Sequence, residues 1–395
     1  MRLDNGMKAM RIKGFLIAGI ILPYLVPSIN RGTEMNKSEF LVYVGTYTKT
    51  NSEGIYVYRF DPGTGRLASL GLAAKTGDPS FLAMAPHGRF LYAVNETNNF
   101  QGGNTGAVSA FSVDQKTGKL TLLNQVPSGG AGPCFVSLDK TGKFVLVANY
   151  DSGSVSVFPI LPDGRLGAAS AWVQHHGSGT NPQRQEGPHA HSIEVSPDNR
   201  FVLAADLGLD QLLIYRFDAT RGSLEPGEPP FAKVPPGAGP RHFAFAPSGQ
   251  AVYVVNEMGA SVSAFAYDRA HGNLTAIETI STLPKDFSGQ SDAAEIAVSP
   301  AGRFLYASNR GHDSIAVFSI NAGNGHLAPV EFVPTRGKTP RHFAIDPTGS
   351  YLVVANQDSD NLVVFRIDPH SGRLNPVSEV SGVSSPVCIT FLPRL

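Results

Sequence analysis

The sequence predicts an all-β fold, a seven-bladed β-propeller of four-stranded antiparallel blades, and three observations predict it. The triplet Gly-x-Leu recurs at Gly65, Gly118, Gly164, Gly222, Gly272, Gly325 and Gly372, a mean spacing near 51 residues. A second marker, a Gly-Pro or similar lead-in to an apolar stretch, falls at Pro79, Pro133, Pro188, Pro240, Ala293, Pro340 and Pro386 and spans the same 307 residues in six steps. Between the markers run short β-branched and aromatic segments punctuated by Gly, Pro and Asp, with no sustained helical period after residue 40. Four strands in about 50 residues is the size of a propeller blade.

The fourth copy shows the unit in order. Arg241 to Ala246 is a first strand, closed by the turn Pro247-Ser248-Gly249. Ala251 to Val255 is a second, Ser261 to Tyr267 an alternating third, and Gly272-Asn273-Leu274 turns into a fourth, Thr275 to Ile280. At the C-terminus, Ser385 to Pro393 matches a first strand, whereas Phe40 to Val44 matches a second strand with no first strand before it. The seventh blade is therefore expected to combine both termini, which removes the unpaired edge of an open ring.

Composition agrees. With 42 Gly and 29 Pro in 395 residues, turns are frequent, and 16% charged residues, against about 25% on average, suits sheets packed on both faces. A 42% apolar content excludes a disordered chain. Thirty-two bases balance thirty-two acids, which leaves no basic field for a nucleic-acid partner, and two cysteines cannot build a disulfide scaffold.

Residues 1–38 stand apart from the single domain at 39–395. Arg11 and Lys13 precede an apolar run from Phe15 to Val26, too short for a membrane span of about 20 residues but suited to a signal segment. Met35 offers a rival start. The protein is cytoplasmic if translated from Met35 and exported if the apolar run is a signal, and both readings stay open.

Strand direction alternates, so the start of strand one and the end of strand two share one face of the disc. The long excursions Thr97 to Gly106, Gln174 to Gly187 and Pro284 to Ser291 all fall on that face, which marks it as the ligand face. Asn95, Asn149, Asn256, Asn309 and Asn356 recur after strand two, and such repetition points to a turn-stabilising role. The residue that follows varies: Glu96, Tyr150, Leu207, Glu257, Arg310, Gln357. The start of strand one carries His189 and His191, Arg241 and His242, or Arg341 and His342.

These residues are expected to converge at one mouth of the channel. Several arginines suit an anionic substrate, because guanidinium groups grip carboxylate or phosphate through paired N–H donors. A histidine beside a carboxylate suits proton transfer near neutral pH. The competing reading makes the arginines channel-filling partners of Glu257, Asp292 or Glu295, with histidines that only bond loop carbonyls. His175-His176 with His189-x-His191 lacks the cysteine or clustered carboxylates of a metal centre, so no metal is expected. Gly311-His312-Asp313-Ser314 reads as a turn, since no Gly-x-Ser-x-Gly elbow is present to activate a serine.

Gly187-Pro188-His189-Ala190-His191-Ser192, Gly239-Pro240-Arg241-His242-Phe243, Val255-Asn256-Glu257, Ala293-Ala294-Glu295-Ile296 and Phe304-Leu305-Tyr306-Ala307-Ser308-Asn309-Arg310 together resemble the seven-bladed 6-phosphogluconolactonases. That family, also called cycloisomerase 2, includes fungal carboxy-muconate lactonizing enzymes. The resemblance covers about residues 40 to 395. It implies a cytosolic, metal-independent and cofactor-free hydrolase of the pentose phosphate pathway, acting on a small anionic lactone. It places a catalytic histidine at His191, anion-binding arginines at Arg241 and Arg310, and an acidic partner at Glu257. The expected catalytic set is His191, Glu257 and Arg310; substrate contacts are expected from Arg241, His189, His242, Arg341 and Glu295. Cycloisomerisation of a carboxy-muconate, a metal-dependent sugar lactonase, and a non-enzymatic propeller docking a protein on its face are the alternatives.

Overall fold

In a computed structural model, residues 39–49 and 51–392 are described. The apolar run at 11–26, Met35 and Pro393 lie outside the described residues. Twenty-eight strands form seven four-stranded antiparallel sheets, so the expected seven-bladed propeller is present. The fourth blade has Pro240–Phe245, Ala251–Asn256, Ser261–Tyr267 and Leu274–Ser281, within a residue or two of the expected bounds. Only two three-residue 3-10 turns interrupt the β structure among the described residues. None of their helices is long and apolar enough to cross a membrane.

The closing blade is built from both ends of the described chain. Pro386–Phe391 pairs with Phe40–Thr46, Val44 opposite Ile389, and Gly54–Asp61 and Arg66–Lys75 complete the sheet. Each blade's first strand packs against the first strands of both neighbours, which closes the inner ring.

Among the described residues there is no single central core. Seven apolar clusters each join two adjacent blades. Between the second and third blades, for example, Phe144, Leu146 and Val155 meet Ile193, Val202 and Tyr215. Sheets stacked side by side bury both faces of their inner strands, which explains why second strands such as Val252 to Val255 are continuously buried instead of alternating. Truncating a fully buried ring of such a cluster, Phe318→Ala in the third strand of the fifth blade, would cost about 3–5 kcal/mol. The Gly-x-Leu turn also belongs to this packing. Gly272 has φ +78°, and a Cβ there would lie 2.5 Å from the Phe201 ring of the preceding blade, so both the turn and the blade contact require glycine.

The recurrent asparagines span their turns and also latch blades together. Nδ2 of Asn149, Asn256 and Asn309 donates to the hydroxyls of Ser154, Ser261 and Ser314 at 3.2, 3.0 and 3.2 Å. Asn149, Asn309 and Asn356 also donate to Ser128 O, Thr282 O and Thr335 O, each the first residue after the outer strand of the preceding blade. The third blade has Asp206 at this place, and its partner is the side chain of His175.

Candidate functional site

A β-bulge in the first strand aims the site residues. Pro240 pairs with Asn256 and His242 with Val255, so Arg241 is an extra residue with no partner in the ladder. The same slip leaves Cys134, His191 and Arg341 unpaired in their blades. A bulged residue turns away from the regular pleat. Directly opposite, strand two ends at Asn256, and the Glu257 amide donates to Gly239 O at 2.7 Å, which fixes Glu257 beside Arg241.

Glu257 is buried and meets three guanidinium groups. Arg184 Nη2 lies 2.6 Å from Oε1; Arg310 Nη2 and Arg241 Nε lie 2.8 and 3.1 Å from Oε2. The Arg241 Nε contact is an ion pair without hydrogen-bond alignment, and the Nε groups of both Arg241 and Arg310 lack an acceptor among the described residues. Side-chain exposure rises from 3% at Arg241 through 16% at Arg310 to 39% at Arg184, a ladder from floor to rim. Burial by itself would raise the Glu257 carboxyl. Arg310 and Arg241 outweigh it and hold the group well below the usual carboxylate range. Arg241, buried near Arg341 and Arg310, is pulled down to about 10. The pairing of arginines with Glu257 anticipated by the competing reading is thus present, but three cations face one anion and the surplus charge is positive.

His191 is buried against this group. Its Nδ1 lies 3.7 Å from the Cys134 thiol, and its ring meets Tyr150 and His242 edge-on at 5.4 and 5.1 Å between centroids. Burial, then the nearby Arg241, drives its pKa well below the ordinary histidine value, so it is neutral near pH 7. His189 stands at the rim, stacked on Tyr150 at 4.6 Å, with Nδ1 on Tyr150 O and Nε2 on Glu186.

Two expected substrate contacts lie deeper. His242 Nδ1 is 3.0 Å and His342 Nε2 3.3 Å from the same Glu295 oxygen. Burial raises the Glu295 carboxyl to about 8, against the pull of Arg241, and lowers His342 to about 3. Phe81 and Phe135, stacked at 4.2 Å, abut His242 and form with it a floor to the mouth. Beyond that floor a cavity of about 630 Å³ contains Glu194 and Lys140 and no arginine.

The remaining arginine, Arg341, lies over the Tyr47 ring at 5.3 Å, and Tyr47 donates to Glu96 at 3.0 Å. Glu96 follows Asn95 at the variable position noted in the sequence. Arg184 and Tyr47 were not singled out from the sequence: Arg184 occupies no repeated position, and Tyr47 holds the variable place after strand two but follows Thr46, where most blades have an asparagine. The available signal was the excursion Gln174 to Gly187, in which Arg184 is the one arginine. Buried Gln185 anchors that excursion, accepting from Thr180 N and Asn181 N and donating to Leu207 O and Asp210 Oδ1. His175 is sealed between Asp206 and Tyr215.

Comparison with known proteins agrees with this architecture. Residues 41–391 match the family described as lactonase, 7-bladed beta-propeller. A 6-phosphogluconolactonase of Bacillus subtilis is 42% identical over 307 residues, covering 78% of this chain and 85% of the relative. A 6-phosphogluconolactonase of Formosa agariphila is 38% identical over 311 residues, covering 77% and 85%. The solved structure of a periplasmic gluconolactonase of Pseudomonas aeruginosa superposes with TM-score 0.85 at 36% identity, covering 91% of this chain and all of that one.

Proposed function

The chain belongs to the seven-bladed β-propeller lactonase family, and on that premise we propose that it hydrolyses 6-phospho-D-glucono-1,5-lactone to 6-phosphogluconate. The observation that carries the reading is a neutral, buried histidine, His191, grouped with arginines that a single carboxylate, Glu257, holds in place. The relatives named 6-phosphogluconolactonase support the choice of substrate.

His191 takes a proton from water as the water oxygen bonds to the lactone carbonyl carbon. Negative charge then develops on the carbonyl oxygen. The unpartnered Nε–H of Arg310 is the donor assigned to it, and a preformed donor of this kind costs no reorganisation as the charge appears. Collapse of the tetrahedral intermediate breaks the ring ester bond, and the proton on His191 passes to the departing ring oxygen. Glu257 serves as a positioning residue for Arg241, Arg310 and Arg184; its partners are arginines, so it orients them rather than His191.

His191→Ala and Arg241→Ala are each expected to lower kcat/KM on fresh lactone by about 10²-fold or more, measured above spontaneous opening. Near-wild-type rates in either variant would sink the reading. Hydrolysis of unphosphorylated gluconolactone by the same steps is the second reading, favoured by the likeness to the Pseudomonas structure. Assaying both lactones and a carboxy-muconate, with and without EDTA, separates these from a cycloisomerase and from a metal-dependent lactonase.

A further inference from the structure

We propose that Arg341 and Lys49, set against the ring of Tyr47, form a separate subsite for a phosphate group at the far end of the substrate. The inference rests on the lactone reading above and names the part of the mouth that would select a phosphorylated lactone. It starts from an asymmetry among the arginines. Arg184, Arg241 and Arg310 are all engaged with Glu257, whereas no hydrogen bond or ion pair joins Arg341 to any described residue. Arg341 nonetheless occupies the bulged position that His191 and Arg241 hold in their blades, so it faces the same mouth.

The Tyr47 ring gathers two cations, Arg341 at 5.3 Å and Lys49 at 5.6 Å from its centroid. Ring stacking fixes a guanidinium plane and leaves its edge donors unused. The neighbouring acids are already engaged: both Glu96 oxygens accept from the Tyr47 hydroxyl, and Asp78 accepts from Thr48 N and Oγ, which pins the segment carrying Tyr47 and Lys49. Two cations with unused donors, beside two carboxylates already engaged by Tyr47 and Thr48, suit a dianion, and phosphate carries about −1.5 to −2 charges near pH 7.

The two poles occupy different arcs of the ring. His191, Arg241, Glu257 and Arg310 come from the third to fifth blades. Arg341 comes from the sixth, Tyr47 and Lys49 from the closing blade, and Glu96 from the first. A lactone with its ring over the first arc would turn its phosphate toward the second. A hydroxymethyl group in that place would leave both cations without a partner.

Calorimetric titration of the full chain with 6-phosphogluconate and with gluconate reads the subsite without relying on turnover. The wild type is expected to bind the phosphorylated ligand at least about tenfold more tightly, the scale of one charge-assisted hydrogen bond. Arg341→Ala should erase the preference, while Arg341→Lys and Lys49→Ala should each reduce it several-fold. Thermal melts verify folding, and if Arg341→Ala does not fold, the other two variants carry the test. Equal affinity of the wild type for both ligands, or an unchanged preference in the folded variants, overturns the proposal. Lactonase assays report separately on the hydrolytic reading: a chain that prefers the phosphorylated ligand but opens no lactone keeps the subsite and loses the reaction.

Discussion

Asp206 Oδ2 lies 2.6 Å from His175 Nδ1, fully buried, where five other blades use an asparagine. Because a carboxylate only accepts, Nδ1 carries the proton, and Nε2 is left to accept from the Tyr215 hydroxyl at 3.0 Å. The histidine therefore latches the outer strand of the second blade to the third. His175→Ala removes the partner of Asp206 Oδ2, while Oδ1 still accepts from His189 N and Leu209 N, and is expected to cost about 1–3 kcal/mol of stability, the scale for a buried acceptor left unsatisfied. Urea unfolding measures it. Unchanged stability would mean that the latch carries no load, and kinetic constants for the lactone should stay at wild-type values.

Removing the charge of Glu257 should disorganise its arginines. In Glu257→Gln three guanidinium groups lose their counter-ion, and kcat/KM should fall by about 10²-fold, comparable to the loss of a preorganised donor. Glu257→Asp, which keeps the charge but shortens the reach, should recover part of that. A Gln variant as active as wild type would remove Glu257 from the positioning role.

The acidic limb of activity follows from His191. Its pKa is depressed by burial and then by Arg241, so it stays unprotonated below the ordinary histidine range. A depressed base keeps working as pH falls, so kcat/KM is expected to hold between pH 7 and 6. The decline should begin only at lower pH. A half-maximal point at pH 6.5 or above would contradict the assignment.

Glu295 gives stability an opposite slope. Its folded pKa, about 8, lies above the unfolded value of about 4.3, so the folded protein holds the extra proton between those limits. Stability from this group is full below the unfolded pKa and is lost as pH rises toward 8. His342, lowered to about 3, acts in the other direction between its folded value and about 6.5. Glu295→Gln mimics the protonated acid, and its unfolding free energy should decline less than that of wild type between pH 6.5 and 8, by at most about 1.4 kcal/mol per pH unit. Parallel curves would show that Glu295 is ionised in the folded state.

Much of this protein was legible in its sequence. The seven Gly-x-Leu markers determined the blade count, because glycine suits a left-handed turn pressed against a side chain of the preceding blade, an aromatic ring at five of them and Val57 or Ile277 at Gly118 and Gly325. The orphan second strand at Phe40 determined how the ring closes, since hydrogen-bonding groups on an edge need a partner. Variation at Glu257 and Arg310 beside constant asparagines marked the ligand face. The tertiary structure decided which of these residues act together. One extra residue in each of three first strands, invisible to any periodicity, turns His191, Arg241 and Arg341 out of the ladder. Arg184 reaches Glu257 from 73 residues away on an irregular excursion, while His242 and Glu295, from adjacent blades, bond each other instead of joining that cluster. A repeat fixes local geometry, but the pairing of charges across a ring depends on distances between blades, which no single repeat contains.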